Sequence, residues 1–209
     1  EDAPAEEPGE GATQPPATEA KPAGPSPTAQ ASFDDGNTRL SGGDVLGARE
    51  AYQRAADEDT SFGKPRFNLG VVAEWEGDTA KATEHYRDAL RADPTAGDAA
   101  TNLTRLLTRG SGDPKSAIAE ISAHVDRYPD ALAVTNVLVG LYVLDGQHDR
   151  AIREAKQVLR KDERNVGAMV NLATSYYHLG KFELSRFILK NASELEPENA
   201  EIHNKLGFV

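Results

Sequence analysis

The sequence predicts an all-α fold of helical hairpins repeated along one axis, and three observations carry that prediction. Small residues recur at a fixed interval: Ala48, Ala82, Ala117, Ala151 and Ser185 are separated by 34, 35, 34 and 34 residues. A break precedes each of them by a few positions, at Gly43, Gly77, the Gly110–Pro114 stretch, Gly146 and Gly180. Between the breaks, apolar residues recur three and four apart, which is the period of an amphipathic helix. Three of the units end at a proline (Pro94, Pro129, Pro197), a residue that cannot continue a helix.

Taken in chain order, the first element is an arm. Residues 1–30 hold seven of the twelve prolines and no Leu, Ile, Val, Phe, Tyr or Trp. Such a segment cannot bury enough apolar area to offset its ordering entropy, so it is expected to be a disordered Pro/Ala/Glu-rich linker. The repeats follow from 31 to 209, in units of about 31–60, 61–94, 95–129, 130–163 and 164–197, with a partial sixth at 198–209. Each full unit reads as two helices of about four turns. The third unit has one extra residue in its RGSGDPKS segment and His124 at a position that is small elsewhere, so its helices are expected to cross at an altered angle. In the fourth, Val139 stands where the first helix is otherwise small and Gly140 follows it, so the close contact is expected one position later. The sixth unit begins at Asn199 with apolar Leu206, Phe208 and Val209, which suggests further repeats after it.

These residues resemble the tetratricopeptide pattern W-x2-L-G-x2-Y…A-x3-F…P. The second unit carries it best, through Leu69-Gly70, Gly77-Asp78, Ala82, Tyr86, Ala89-Leu90 and Pro94; the fifth offers Leu172-Ala173, Tyr176, Gly180, Phe182, Ala192 and Pro197. The resemblance implies a right-handed α-solenoid in which the first helix of each unit lines a concave surface.

A search for chemistry finds none. There is no cysteine, no HExxH pair among the five histidines, no nucleophile elbow and no phosphate loop. GGDVLG at 42–47 reads as a turn entering a helix. The chain is therefore expected to be non-enzymatic, with no cofactor and no metal. A net charge of −11 argues against nucleic acid or anionic lipid as the main partner. The sequons at Asn102 and Asn191 lie on expected packed helices.

The candidate site is the concave groove. One first-helix position reads Asn68, Asn102, Val137 and Asn171 in successive units. Asparagine donates and accepts at once, so such a row suits the backbone of an extended peptide, or else bridges neighbouring helices. The resemblance extends to the asparagine ladder of the O-linked N-acetylglucosamine transferase repeat domain. Asn37, Trp75, Arg105, Arg109 and Tyr177 complete the partner-binding set; the arginines lie four apart on one face. A dicarboxylate clamp of the cochaperone type is broken, because Phe33, Asp98 and Asn102 replace its cations.

The chain opens at Glu1-Asp2 without a methionine, so a segment is expected to have been removed. A processed start, a flexible spacer and a repeat domain are similar to the repeat lipoproteins of bacterial surface-motility machines, the gliding apparatus or the type IV pilus. That resemblance implies a periplasmic or outer-membrane-associated scaffold, attached through a lipid upstream of residue 1. The alternative is a cytosolic recruitment module of a larger protein.

Overall fold

The computed structural model describes residues 24–209. Those residues form eleven α-helices and no strand: α1 (Pro27–Ser41), α2 (Val45–Glu58), α3 (Gly63–Trp75), α4 (Thr79–Ala92), α5 (Gly97–Ser111), α6 (Lys115–Arg127), α7 (Leu132–Leu144), α8 (His148–Lys161), α9 (Val166–His178), α10 (Phe182–Leu195) and α11 (Ala200–Leu206). Odd-numbered helices open each unit and even-numbered helices close it. Successive opening helices approach one another directly, α5 with α7 and α7 with α9, whereas successive closing helices lie further from one another, α4 reaching α6 through the Arg87–Glu120 ion pair. The opening helices therefore form the inner layer of a curved α-solenoid.

Turn chemistry punctuates the chain at the repeat interval. Gly43, Gly77, Gly112, Gly146 and Gly180 all have φ between 65° and 83°, the left-handed region where a side chain is strained. The next residue caps two of the following helices, with Asp44 accepting from the Gly47 amide and Asp78 from the Lys81 amide. In the third unit the extra residue falls before the turn. There α5 runs for 15 residues, against 13 in α3, α7 and α9.

The first helix corrects the expected boundary. It starts at Pro27, inside the stretch read as linker, because Ser26 caps it and proline suits the first helical position. The Ser26 amide also donates to Asp59 at 2.8 Å, tying this end to the loop after α2. The remaining arm, residues 1–23, lies outside the described residues.

Packing within each unit rests on one facing pair of positions. In the first two units a glycine meets a buried tyrosine: a Cβ on Gly36 would lie 2.5 Å from the Tyr52 ring, and one on Gly70 would lie 2.5 Å from the Tyr86 ring. At the same register the later units pair Thr104 with Ile121, Val139 with Ala155 and Ala173 with Leu189, all buried. The fourth unit thus reverses the sizes, with the larger Val139 on the opening helix and Ala155 on the closing one, both in one apolar cluster. The expected one-position shift does not occur, since a Cβ on Gly140 would meet only Asn171 within 4 Å. His124, in place of a small residue, keeps its ring at the unit edge. Its Nε2 lies 2.8 Å from the Pro94 carbonyl and its ring packs on Tyr128.

Candidate partner-binding surface

The inner layer is built differently in its two halves. In the first half the candidate asparagines are engaged within the chain. The Tyr52 hydroxyl donates to Asn37 Oδ1 (2.9 Å), and Asn68 Nδ2 donates to the same oxygen (3.3 Å). One repeat later the Tyr86 hydroxyl donates to Glu74 Oε1 (2.6 Å), with Asn102 beside it. Both phenols titrate above the ordinary range, chiefly through burial and, for Tyr86, through the Glu74 carboxylate as well.

Arg105 is also held. Its Nη2 reaches both Glu74 oxygens at 2.6 and 2.7 Å. Burial raises the Glu74 carboxyl, but the hydrogen bonds from Arg105 and Tyr86 outweigh it and leave the group below its usual value. Arg109 adds its field to the same carboxylate from the exposed end of α5. Trp75 is 64% exposed at the end of α3, so it is no core filler; it stands at the rim, in register with Arg109, Leu144 and His178. Tryptophan and arginine are enriched among the side chains that carry most of the energy of protein interfaces.

The interruption at Val137 has a structural cause. Each asparagine of the row lies 16 residues after the closing-helix position that packs in the preceding unit: Tyr52 with Asn68, Tyr86 with Asn102. The same spacing pairs Ile121 with Val137, and both pack in one apolar cluster. At this joint neither the hydroxyl nor the amide is present. Ala155 offers no hydroxyl either, and there Asn171 donates instead to the Asn136 carbonyl at 3.3 Å.

In the second half the inner layer is almost free of charge. α7 carries no ionisable side chain other than Tyr142, which is buried, and α9 carries no Asp, Glu, Lys or Arg. Ala133 and Gly167 are exposed, Gly140 is half-exposed, and Tyr177 closes the row against Phe182. Asn136 donates to Asn165 Oδ1 (2.6 Å), while its own Oδ1 is buried without a partner. This strip of small residues admits the close approach of another backbone. The sequence reading included Tyr177 and Asn171 but passed over Ala133, Gly140 and Gly167, because small residues carry no chemistry of their own.

No group of three or more metal-ligating side chains occurs among the described residues, and none of their helices is long and apolar enough to cross a membrane.

Comparisons with known proteins agree with this architecture. The chain is 24% identical over 197 residues to human Superkiller complex protein 3, covering 75% of this chain and 13% of that protein. It spans 12–14% of the length of curated relatives of this kind. Among solved structures it is similar to YrrB, described as a TPR protein with an unusual peptide-binding site (TM-score 0.55, 20% identity, 84% of this chain and 90% of that one). It is also similar to PilW, a type IV pilus biogenesis factor (TM-score 0.60, 16% identity, 86% of each chain). Models described as tetratricopeptide repeat match residues 33–97, 67–131 and 142–207, most of the helical part, and with the register and packing above the chain belongs to the tetratricopeptide repeat family.

Proposed function

We propose that the chain is a non-enzymatic scaffold subunit of a bacterial cell-envelope complex, of the motility or secretion kind, that holds an extended peptide segment of another subunit in its concave layer. Repeats of this family bind other proteins, and they are in general scaffolds rather than catalysts. The observation that carries the peptide reading is the uncharged small-residue strip of α7 and α9, where Ala133 and Gly167 are exposed and Gly140 is half-exposed. Asn171, Tyr177, Trp75, Arg105 and Arg109 border it or continue it toward the amino-terminal units and the rim. Asn37, Asn68 and Asn102 act by holding that layer rigid, which lowers the ordering cost of binding.

The envelope setting, the lipid anchor and the periplasmic or outer-membrane location rest on two supports. One is the Pro/Ala/Glu spacer before the repeats. The other is the fold likeness to PilW over most of both chains. The cytosolic recruitment module has its own support, in the small share of its curated relatives that the chain spans.

Photo-crosslinking in the source cell tests the reading. A crosslinker at Ala133 should capture one or a few envelope proteins, and Gly167→Arg should abolish that capture. Capture that is indifferent to Gly167→Arg, or made only of cytosolic proteins, defeats the proposal.

A further inference from the structure

We propose a second docking surface on the convex side, where the closing helices α8 and α10 receive an acidic protein segment that carries an apolar anchor. It is independent of the concave strip. The outer face of α8 presents Arg153, Lys156 and Arg160 at helical spacing, opposite its buried Ala151, Ala155 and Val158. All three cations are exposed. Among the described residues neither Arg153 nor Arg160 has an ion-pair or hydrogen-bond partner, and Lys156 has only the face of Tyr176, 5.8 Å away. Asp149 and Glu154 are the acids on the same helix; neither comes within ion-pair distance of these cations, and Glu154 accepts from Gln157 instead. In a chain of net charge −11 this is a local concentration of unpaired positive charge.

The next closing helix supplies the second half of the surface. At the register of Arg150, Arg153 and Lys156, α10 carries Leu184, Phe187 and Lys190. Leu184 is 49% exposed and Phe187 is 63% exposed. Phe187 stands one repeat along from Arg153, and aromatic and arginine side chains are enriched among those that carry the energy of protein interfaces. Opposite charge is what the cations select, and they would steer an anionic partner onto the face before the ring seats. A purely apolar occupant would leave the α8 cations desolvated without partners, and a purely acidic one would leave Phe187 in water. The occupant that answers both is a segment of Asp and Glu punctuated by a large apolar residue. The chain's own arm has the acids but no large apolar residue, so it satisfies half of the requirement.

The test uses the full chain and a fluorescein-labelled peptide in which glutamate pairs alternate with leucine, beside an all-glutamate peptide of equal length and vesicles of phosphatidylglycerol. The mixed peptide should bind most tightly, and its affinity should fall steeply with salt. Arg153→Glu with Arg160→Glu should weaken it at least tenfold and Phe187→Ser about threefold, while Ala133→Arg, on the concave side, should leave it unchanged. All of these positions are exposed, and unchanged thermal melts establish that the variants fold. The proposal is overturned if the charge reversals have no effect, if Ala133→Arg abolishes binding, or if all-glutamate peptide binds equally well. Vesicle binding without peptide binding would assign the surface to a membrane instead. Tenfold tighter peptide binding by a chain lacking residues 1–23 would assign it to the arm.

Discussion

The second and fourth units solve the same packing problem with opposite residues. In the second, a large ring from the closing helix, Tyr86, lies against Gly70 of the opening helix, and its hydroxyl reaches Glu74. In the fourth, the opening helix supplies the bulk through Val139 and the closing helix yields through Ala155. The difference teaches that a repeat preserves the volume of a contact and the spacing between helices, while the identity of each partner is free to change. It also separates two roles: the amino-terminal inner layer is tied by tyrosine hydroxyls and the Arg105–Glu74 ion pair, whereas the carboxy-terminal one, held by asparagine amides, offers an uncharged inner strip.

The largest break in this comparison should come from Tyr86→Ala, which empties a fully buried site and should cost about 3–5 kcal/mol in denaturant unfolding. Gly70→Val should cost about 1–3 kcal/mol, because its Cβ meets the ring itself rather than a flexible side-chain end. The double variant Gly70→Val with Tyr86→Ala recreates the pairing of the fourth unit. It should lose less than the sum of the single changes, by about 0.5–3 kcal/mol. Strict additivity would refute the proposed exchange of volumes.

Tyr86→Phe keeps the ring and removes only the hydroxyl, so about 1 kcal/mol should be lost while the helix content stays unchanged. Arg105→Met should cost least, no more than about 0.5–1 kcal/mol, since the Arg105 side chain is 45% exposed and solvent screens the pair. The same cluster sets a pH dependence. The Glu74 carboxyl is held below its unfolded value, so its contribution is present above about pH 4.5 and fades as pH falls through the lowered value. Melts from about pH 7 to pH 3 should therefore show less acid destabilisation in Glu74→Gln than in the parent chain. Equal curves would mean that the pair contributes nothing.

Much of the fold was legible because the repeat interval fixes it. Ala48, Ala82, Ala117, Ala151 and Ser185, recognised by their small size and their spacing, are all at most 1% exposed. Size and phase can be read from one chain. The start of α1 was hidden because the segment before Ala31 is rich in proline, and only the cap at Ser26 distinguishes Pro27 from its neighbours. The inner layer was harder still. An asparagine row can serve a ligand or the neighbouring repeat, and the deciding partners, Tyr52 and Tyr86, sit on another helix. The degree to which Trp75 is exposed was hidden for a similar reason: whether the end of a helix is covered depends on the length of the turn after it.

One joint in the superhelix lacks the tyrosine latch of its predecessors. Between the third and fourth units Ile121 and Val137 share an apolar cluster on the inner side, and Lys161 donates to the Pro129 carbonyl at the outer edge. A hydrogen bond is directional and breaks when its groups slide, whereas contact between oily side chains tolerates a small displacement at little cost. The inner side of this joint should accordingly give way to a small change of pitch more readily than the joints before it, the flexible Lys161 side chain following at the outer edge.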